Sequence, residues 1–326
     1  MKLLVTGGLG FIGSNFILKI LSKNEKISII NIDDHLYGSN SLSLKKIENS
    51  ENYKFVKGNI ANKQLILKLV QDCDTIVNFA AESHVDRSIS NAKPFVDSNI
   101  LGVYTILEAV KKFNKRLIHI STDEVFGSLE KESATENYRF NPSSPYSASK
   151  ASAEHLVNSF FVTYGCDCII TRCTNNYGPR QFPEKLIPKT IFYAKTNKKI
   201  PIYGTGKNLR DWIHVYDHCE AIYQVLKKGK KGESYNISSN NEIDNLTIIR
   251  MILSLMKKPE DMIEFVKDRP GHDFRYSMDS SKIRKELKLL PKIGFDKGLE
   301  KTINWHLENQ EWWKNISQET LVPSWQ

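Results

Sequence analysis

A chain of 326 residues, 40% hydrophobic and 25% charged, has the proportions of an ordinary folded protein, and its length suits two domains or one large domain with an added lobe. No run approaches the ~18 apolar residues of a membrane helix, and the opening apolar run breaks at Thr6-Gly7-Gly8, too early for a signal-peptide core, so a cytoplasmic protein is expected. The net charge of +9 is spread along the chain; the densest group, residues 227–231, lacks interleaved aromatics and reads as a solvated loop, not a nucleic-acid face.

Apolar runs with strand character recur at residues 3–5, 27–32, 53–56, 75–79, 117–120 and 168–171, separated by helix-length segments. That alternation predicts an α/β fold with a doubly wound parallel sheet, whose strands are buried on both faces and therefore continuously apolar. Residues 94–113 read as one helix with Ile100, Tyr104, Leu107 and Val110 on a single stripe. The cysteines Cys73, Cys166, Cys168, Cys173 and Cys219 form no Cys-x-x-Cys pair and read as small core residues, with no disulfide and no metal expected. After Thr174, Gly and Pro punctuation at positions such as Pro188 and Pro201 predicts a second, irregular lobe. The run at residues 212–215 and the helical pattern at 217–226 look like a return to the first.

Directly after the first run, Gly7-Gly8-Leu9-Gly10-Phe11-Ile12-Gly13 opens a helix. Glycines there let the backbone turn tightly and approach a pyrophosphate, whose charge sits on the helix N-terminal amides. Asp33 ends the next strand, placed to accept from an adenosine ribose, and Asp34 beside it repels a 2′-phosphate, so the cofactor is read as NAD. Residues 1–174 then form a Rossmann-like NAD-binding domain, with about 212–240 returning to it, and residues 175–326 a smaller C-terminal substrate-binding lobe. In Pro145-Tyr146-Ser147-Ala148-Ser149-Lys150 a helix starts and puts Tyr146 and Lys150 on one face. An ammonium and a positive nicotinamide ring both lower a neighbouring phenol's pKa, which makes Tyr146 a candidate base. Ser121-Thr122-Asp123-Glu124-Val125-Phe126-Gly127 comes after a parallel strand, at the end where ligands bind, with two carboxyl groups beside a hydroxyl.

Together with residues 79–88, 175–179, 182–188, 210–212 and 268–273, these motifs resemble the nucleoside-diphosphate-sugar 4,6-dehydratases of the extended short-chain dehydrogenase/reductase superfamily, above all its dTDP-glucose branch, over nearly the whole chain. Thr122-Asp123-Glu124 discriminates, because epimerases of the superfamily generally lack the acid pair there. The resemblance implies an NAD-dependent hydro-lyase that turns dTDP-glucose into dTDP-4-keto-6-deoxyglucose. Tyr146 takes the 4-hydroxyl proton as hydride leaves C4 for NAD, Glu124 removes the C5 proton, Asp123 protonates the departing C6 hydroxyl, and the hydride returns to C6. Thr122 holds the 4-oxygen and Lys150 the nicotinamide ribose.

By the same resemblance the NAD contacts are Gly7, Gly10, Phe11, Ile12, Gly13, Asp33, Asn59, Ile60, Phe79, Ala80, Ala81, Ser83, Tyr146, Lys150 and Asn176. Substrate contacts are Ser83, Thr122, Asn175, Lys185, Leu186, Pro201, Ile202, Tyr203, Arg210, Asn245, Arg269 and His272. Arg210 can grip a diphosphate bidentately and Tyr203 offers a flat face to a pyrimidine, while Asn245 is equally well an N-cap. Asn59 stands where the family usually has Asp and can still accept from adenine through its amide oxygen; the segment 128–141 is short for the family. A homodimer through helices at 94–113 and 151–164 is implied. Thymine and uracil both stay open, since one methyl is worth ~1–3 kcal/mol. The rival readings are a UDP-glucose 4,6-dehydratase, a nucleotide-sugar 4-epimerase and a non-catalytic dinucleotide-sensing regulator; the intact acid pair disfavours the epimerase, and that pair with Tyr146 and Lys150 disfavours the regulator.

Overall fold

The structure, a computed structural model, describes residues 1–23 and 25–313; residues 314–326 of the expected second lobe lie outside them. Strands β1 (Lys2–Thr6), β2 (Ser28–Asp33), β3 (Tyr53–Lys57), β4 (Thr75–Asn78), β5 (Arg116–Thr122) and β6 (Asp167–Cys173) fall on the apolar runs. The shorter strands are β7 (Asn175–Tyr177), β8 (Ile200–Tyr203), β9 (Leu209–His214), β10 (Ser234–Ile237), β11 (Glu242–Asp244) and β12 (Ile263–Val266). A seven-stranded sheet runs β10-β6-β5-β4-β1-β2-β3, parallel throughout. Successive residues serve opposite faces: Leu3 and Ile29 pack with Phe16, Ile17 and Ile222, whereas Leu4 and Ile30 pack with Ile66, Ile76 and Leu107. Each fully buried Leu or Ile contributes roughly 1.5–3 kcal/mol, and because both faces are covered the strands favour apolar residues at every position.

The helix expected over residues 94–113 is interrupted by a π turn, Val96–Gly102, between Lys93–Phe95 and Val103–Phe113. A π turn holds an extra residue and rotates the helix beyond it. Leu107 and Val110 point inward as expected, but Tyr104 is 45% exposed.

The return to the main sheet begins later than residue 212. Trp212 lies in β9, which pairs with β7 and β11 in a separate three-stranded sheet. The helix Val215–Lys228, packed on Phe11–Leu21, and β10 make the return. Ile283 and Leu287, on the helix Ser281–Leu287, also pack into the first core. Beyond residue 174 the chain is more regular than its Gly and Pro content suggests. Pro188 sits in the first turn of the helix Leu186–Lys195, where backbone N–H groups have no intrahelical acceptor, and Pro201 sits in β8, one strand of the two-stranded β8–β12 sheet. A third core joins Tyr177, Ile187, Trp212, Ile248, Phe295 and Leu299.

Candidate active site

The carboxyl ends of β1, β2, β4, β5 and β6 face one cleft, at the point where the chain switches direction across the sheet between β1 and β4. Gly7 comes directly after β1 with φ +67°, and an added Cβ there would meet the Ala80 backbone nitrogen at 2.6 Å. At Gly13 a Cβ would meet the Gly7 carbonyl oxygen at 2.5 Å. The loop is thus a backbone cradle at the N-terminus of the helix Phe11–Leu21, shaped for a pyrophosphate. Asp33 accepts from the Leu9 amide at 2.9 Å, the His35 amide at 3.0 Å and the Ser39 hydroxyl at 2.7 Å. Of a carboxylate's roughly four acceptor positions, one is left for a ribose. Asn59 and Ile60 line the adjoining cavity with Gly7, Asp33 and Asp34. The Asn59 amide oxygen already accepts from the Ala61 amide at 2.8 Å, and its Nδ2 donates to Asp34 at 2.9 Å, so an adenine amino group has only the second lone pair of that oxygen.

Thr122 closes β5, and Asp123 and Glu124 begin the 3-10 turn Asp123–Phe126. The Thr122 hydroxyl donates to Asp123 Oδ1 at 3.1 Å and accepts from the Glu124 amide at 3.3 Å. Tyr146 and Lys150 come from the helix Pro145–Tyr164, started by the Ser144–Ser147 capping box with Pro145 in the first turn. All five side chains line the main cleft, with Ser83, Asn175, Asn176 and Lys185. Leu186, Pro201, Ile202, Tyr203, Arg210, Asn245, Arg269 and His272 line a second cleft that shares Glu124, Asn175 and Lys185 with the first.

Burial raises the Asp123 carboxyl well above its ordinary range, and the Glu124 charge adds to this. Burial raises Glu124 as well, but Arg269, Lys185 and Arg210 act against it. One acid is pushed toward the neutral form, while its neighbour is held closer to ionisation. The lowering of Tyr146 expected from Lys150 does not emerge. Burial, then Glu124, hold the phenol well above its ordinary value, and the Lys150 ammonium donates to the Ile120 carbonyl at 2.6 Å. Burial brings Lys150 itself down to about 8, opposed by Glu154.

Two further expectations change. Asn245 is not a cap: Asp244 caps the helix Asn245–Leu255 by accepting from the Thr247 amide at 2.8 Å. Arg210 spends three donors on the carbonyls of Leu209, Asp273 and Phe274, leaving two of its five for an anion. The site also holds residues to which the sequence assigns no role, two of them, His84 and Glu184, inside the segments 79–88 and 182–188. Asn99, buried in the π turn, donates to Ser149 Oγ at 2.8 Å and exchanges bonds with the Glu82 backbone, tying the π turn to the helix that carries Tyr146 and Lys150. His84 Nδ1, Gln181 Oε1 and Glu184 Oε2 are buried and without hydrogen-bond partners among the described residues, and all three residues line both clefts. Such orphans mark a place built for polar groups of a ligand. The site residues expected from those two segments include the neighbours Ser83 and Lys185 but not His84 and Glu184, and Gln181 lies one residue before the second segment.

A Rossmann-type cradle with a Tyr–Lys pair across from it defines a nicotinamide-dinucleotide enzyme of the extended short-chain dehydrogenase/reductase class. The chain belongs to the nucleotide-sugar 4,6-dehydratase family: the family model described as GDP-mannose 4,6 dehydratase matches residues 4–302. It is 44% identical to the dTDP-glucose 4,6-dehydratase of Escherichia coli, over 97% of this chain and 96% of that one. The dTDP-glucose 4,6-dehydratase of Bacillus anthracis, crystallised with NAD, superimposes with a TM-score of 0.92 at 46% identity, covering 97% of this chain and all of the other. That of Streptomyces venezuelae, also solved with NAD bound, gives 0.95 at 40% identity over the same shares. Among the described residues no helix is long and apolar enough to cross a membrane.

Proposed function

We propose that the protein dehydrates dTDP-glucose to dTDP-4-keto-6-deoxyglucose with NAD as its cofactor. The observation that carries this reading is the adjacent acid pair Asp123–Glu124, unequal in electrostatic surroundings, on the wall of the dinucleotide cleft, with Glu124 lining the second cleft as well. NAD fits the first cleft: Gly7, Gly10, Phe11, Ile12 and Gly13 would hold its pyrophosphate, Asp33 its adenosine ribose, Asn59 and Ile60 its adenine, and Phe79, Ala80, Ala81, Ser83, Lys150 and Asn176 its nicotinamide side. Bound there, NAD supplies a reversible hydride store, filled from C4 and emptied to C6, so no net reductant is consumed. Thr122 and Tyr146 hold the 4-oxygen, and Tyr146 takes its proton. The resulting 4-ketone acidifies the C5 hydrogen, which Glu124 removes as Asp123 protonates the C6 hydroxyl leaving as water. The neutral tendency of Asp123 and the cations around Glu124 match those opposite duties. Lys185, Arg210 and Arg269 surround the second cleft with the charge a diphosphate requires.

Thymidine is favoured over uridine by the identity to dTDP-glucose 4,6-dehydratases. A 4-epimerase would have no use for the acid pair. We further assign NAD binding mainly to residues 1–174 and sugar-nucleotide binding mainly to 175–326, action in the cytoplasm, and a homodimer. The deciding experiment is Glu124→Gln. The amide cannot accept the C5 proton, yet Tyr146, Lys150 and the cradle are untouched, so single-turnover absorbance with dTDP-glucose should show NADH that persists while 4-keto-6-deoxy product and solvent deuterium at C5 vanish together. Turnover at the native rate would remove Glu124 from the role of base and return the reading to an epimerase. Parallel reactions with UDP-glucose report the preference for the base.

A further inference from the structure

Asp86 lies on the short helix Val85–Ser90, next to the dinucleotide cleft, and is 3% exposed. A carboxylate so deep is costly unless it is paired. Asp86 lines the second cleft, and both its oxygens are taken there: Oδ1 accepts from Nη1 of Arg269 at 2.7 Å and Oδ2 from the Tyr203 hydroxyl at 2.9 Å. Tyr203 ends β8 and Arg269 lies just beyond its partner strand β12, so a single carboxylate ties down two neighbouring pieces of the nucleotide side. Arg269 Nε is buried and has no partner among the described residues. One arm of the guanidinium is therefore fixed while another donor is left for an anion.

We infer that Asp86 is a positioning residue for the nucleoside diphosphate, setting Arg269 for the phosphates and the Tyr203 ring for the base before substrate arrives. The inference rests on the proposed reading of the second cleft. A buried ion pair contributes little net stability compared with apolar packing, but it fixes the guanidinium in one geometry. Side chains ordered in advance do not have to give up rotamer freedom on binding, so the gain appears in affinity and not in chemistry at the sugar.

The test uses the full NAD-loaded chain with dTDP as the probe. Asp86→Asn leaves one acceptor oxygen where there were two and turns an NH2 toward either Arg269 or Tyr203. The dTDP affinity and the KM for dTDP-glucose should worsen by about 10- to 100-fold while kcat and NAD content change by less than about twofold. Tyr203→Phe keeps the ring but removes the hydroxyl that reaches Asp86; it should weaken dTDP binding several-fold alone and add little in the Asp86→Asn background. Native dTDP affinity in Asp86→Asn, or full additivity of the two changes, overturns the inference. So does a fall of kcat and NAD content in step with affinity, which would make Asp86 a general support of the fold. If Asp86→Asn is insoluble, Tyr203→Phe decides alone, native affinity there overturning the inference. Absence of dTDP binding by the native protein would overturn both this inference and the nucleotide reading beneath it, a result distinct from native binding that Asp86→Asn leaves intact.

Discussion

Arg269, Lys185 and Arg210 bear on Glu124, whereas Asp123 has Arg210 and the Thr122 hydroxyl set against the charges of Glu124 and Asp211, and that difference in surroundings separates two neighbouring carboxyl groups. It has a cost in stability that can be measured. Asp123 keeps its proton in the folded chain at pH values where an unfolded aspartate, with its ordinary value of 3.8, has lost it. Between those limits folding takes up a proton, so the contribution of Asp123 to stability worsens as pH rises from about 4. Asp123→Asn should therefore unfold at a higher temperature than the native protein at pH 7, with the gap closing toward pH 4, while dehydration is lost. A native protein more stable than Asp123→Asn at pH 7 would contradict the burial argument. Tyr146→Phe should retain NAD and lose roughly 10²–10⁴-fold in turnover, the usual worth of a general base. The sequence displayed these residues because they stand in motifs at fixed short spacings. Asn99 stands in none, and Asp86, though inside the segment 79–88, is assigned no role there: their partners Ser149 and Arg269 lie 50 and 183 residues away, and nothing local in the chain records such a pairing.

At the scale of elements, strands β1 to β6 were legible because a central parallel strand is buried on both faces and must be apolar throughout. Strands β7 and β11 have three residues each, too few to display a period, and β8 contains a proline that reads as a loop. The π turn was illegible for another reason. Its register is set by where Asn99 must point, since that side chain satisfies both the N–H and C=O of Glu82 and meets Ser149. Asn99→Ala would leave the Glu82 backbone groups buried without these partners, at roughly 1–3 kcal/mol for each unsatisfied group. The expected outcome is a lower melting temperature together with a fall in kcat that exceeds any rise in KM, because the helix holding Tyr146 and Lys150 loses its brace. Unchanged kcat in a folded Asn99→Ala protein would confine Asn99 to stability.

For the whole molecule, the displaced register of that helix has an outward consequence. Leu101 and Tyr104 are 50% and 45% exposed, and Tyr164, at the far end of the helix that begins with Tyr146, is 55% exposed. Tyr104 and Tyr164 flank the same ring, Phe160, at 6.4 and 5.1 Å between centroids, so they form one patch across two adjacent helices. The Lys111 ammonium lies over the Phe160 and Tyr164 rings, 5.6 and 4.5 Å from their centroids, and the rest of the patch is apolar. The proposed homodimer would bury it against the same patch of a second copy, the self-complementary arrangement of a two-fold dimer. A charge placed near such an axis is buried twice. Leu101→Glu should therefore convert a native species of twice the chain mass into one of single mass by light scattering, and should abolish the dependence of melting temperature on protein concentration that a dimer shows. Because the patch lies on the helix that positions Tyr146, the separated chain should also lose turnover without losing the cradle at Gly7. Retained NAD in a monomeric, slower Leu101→Glu protein would place the effect on that helix; a native protein of single mass at micromolar concentration would refute the dimer.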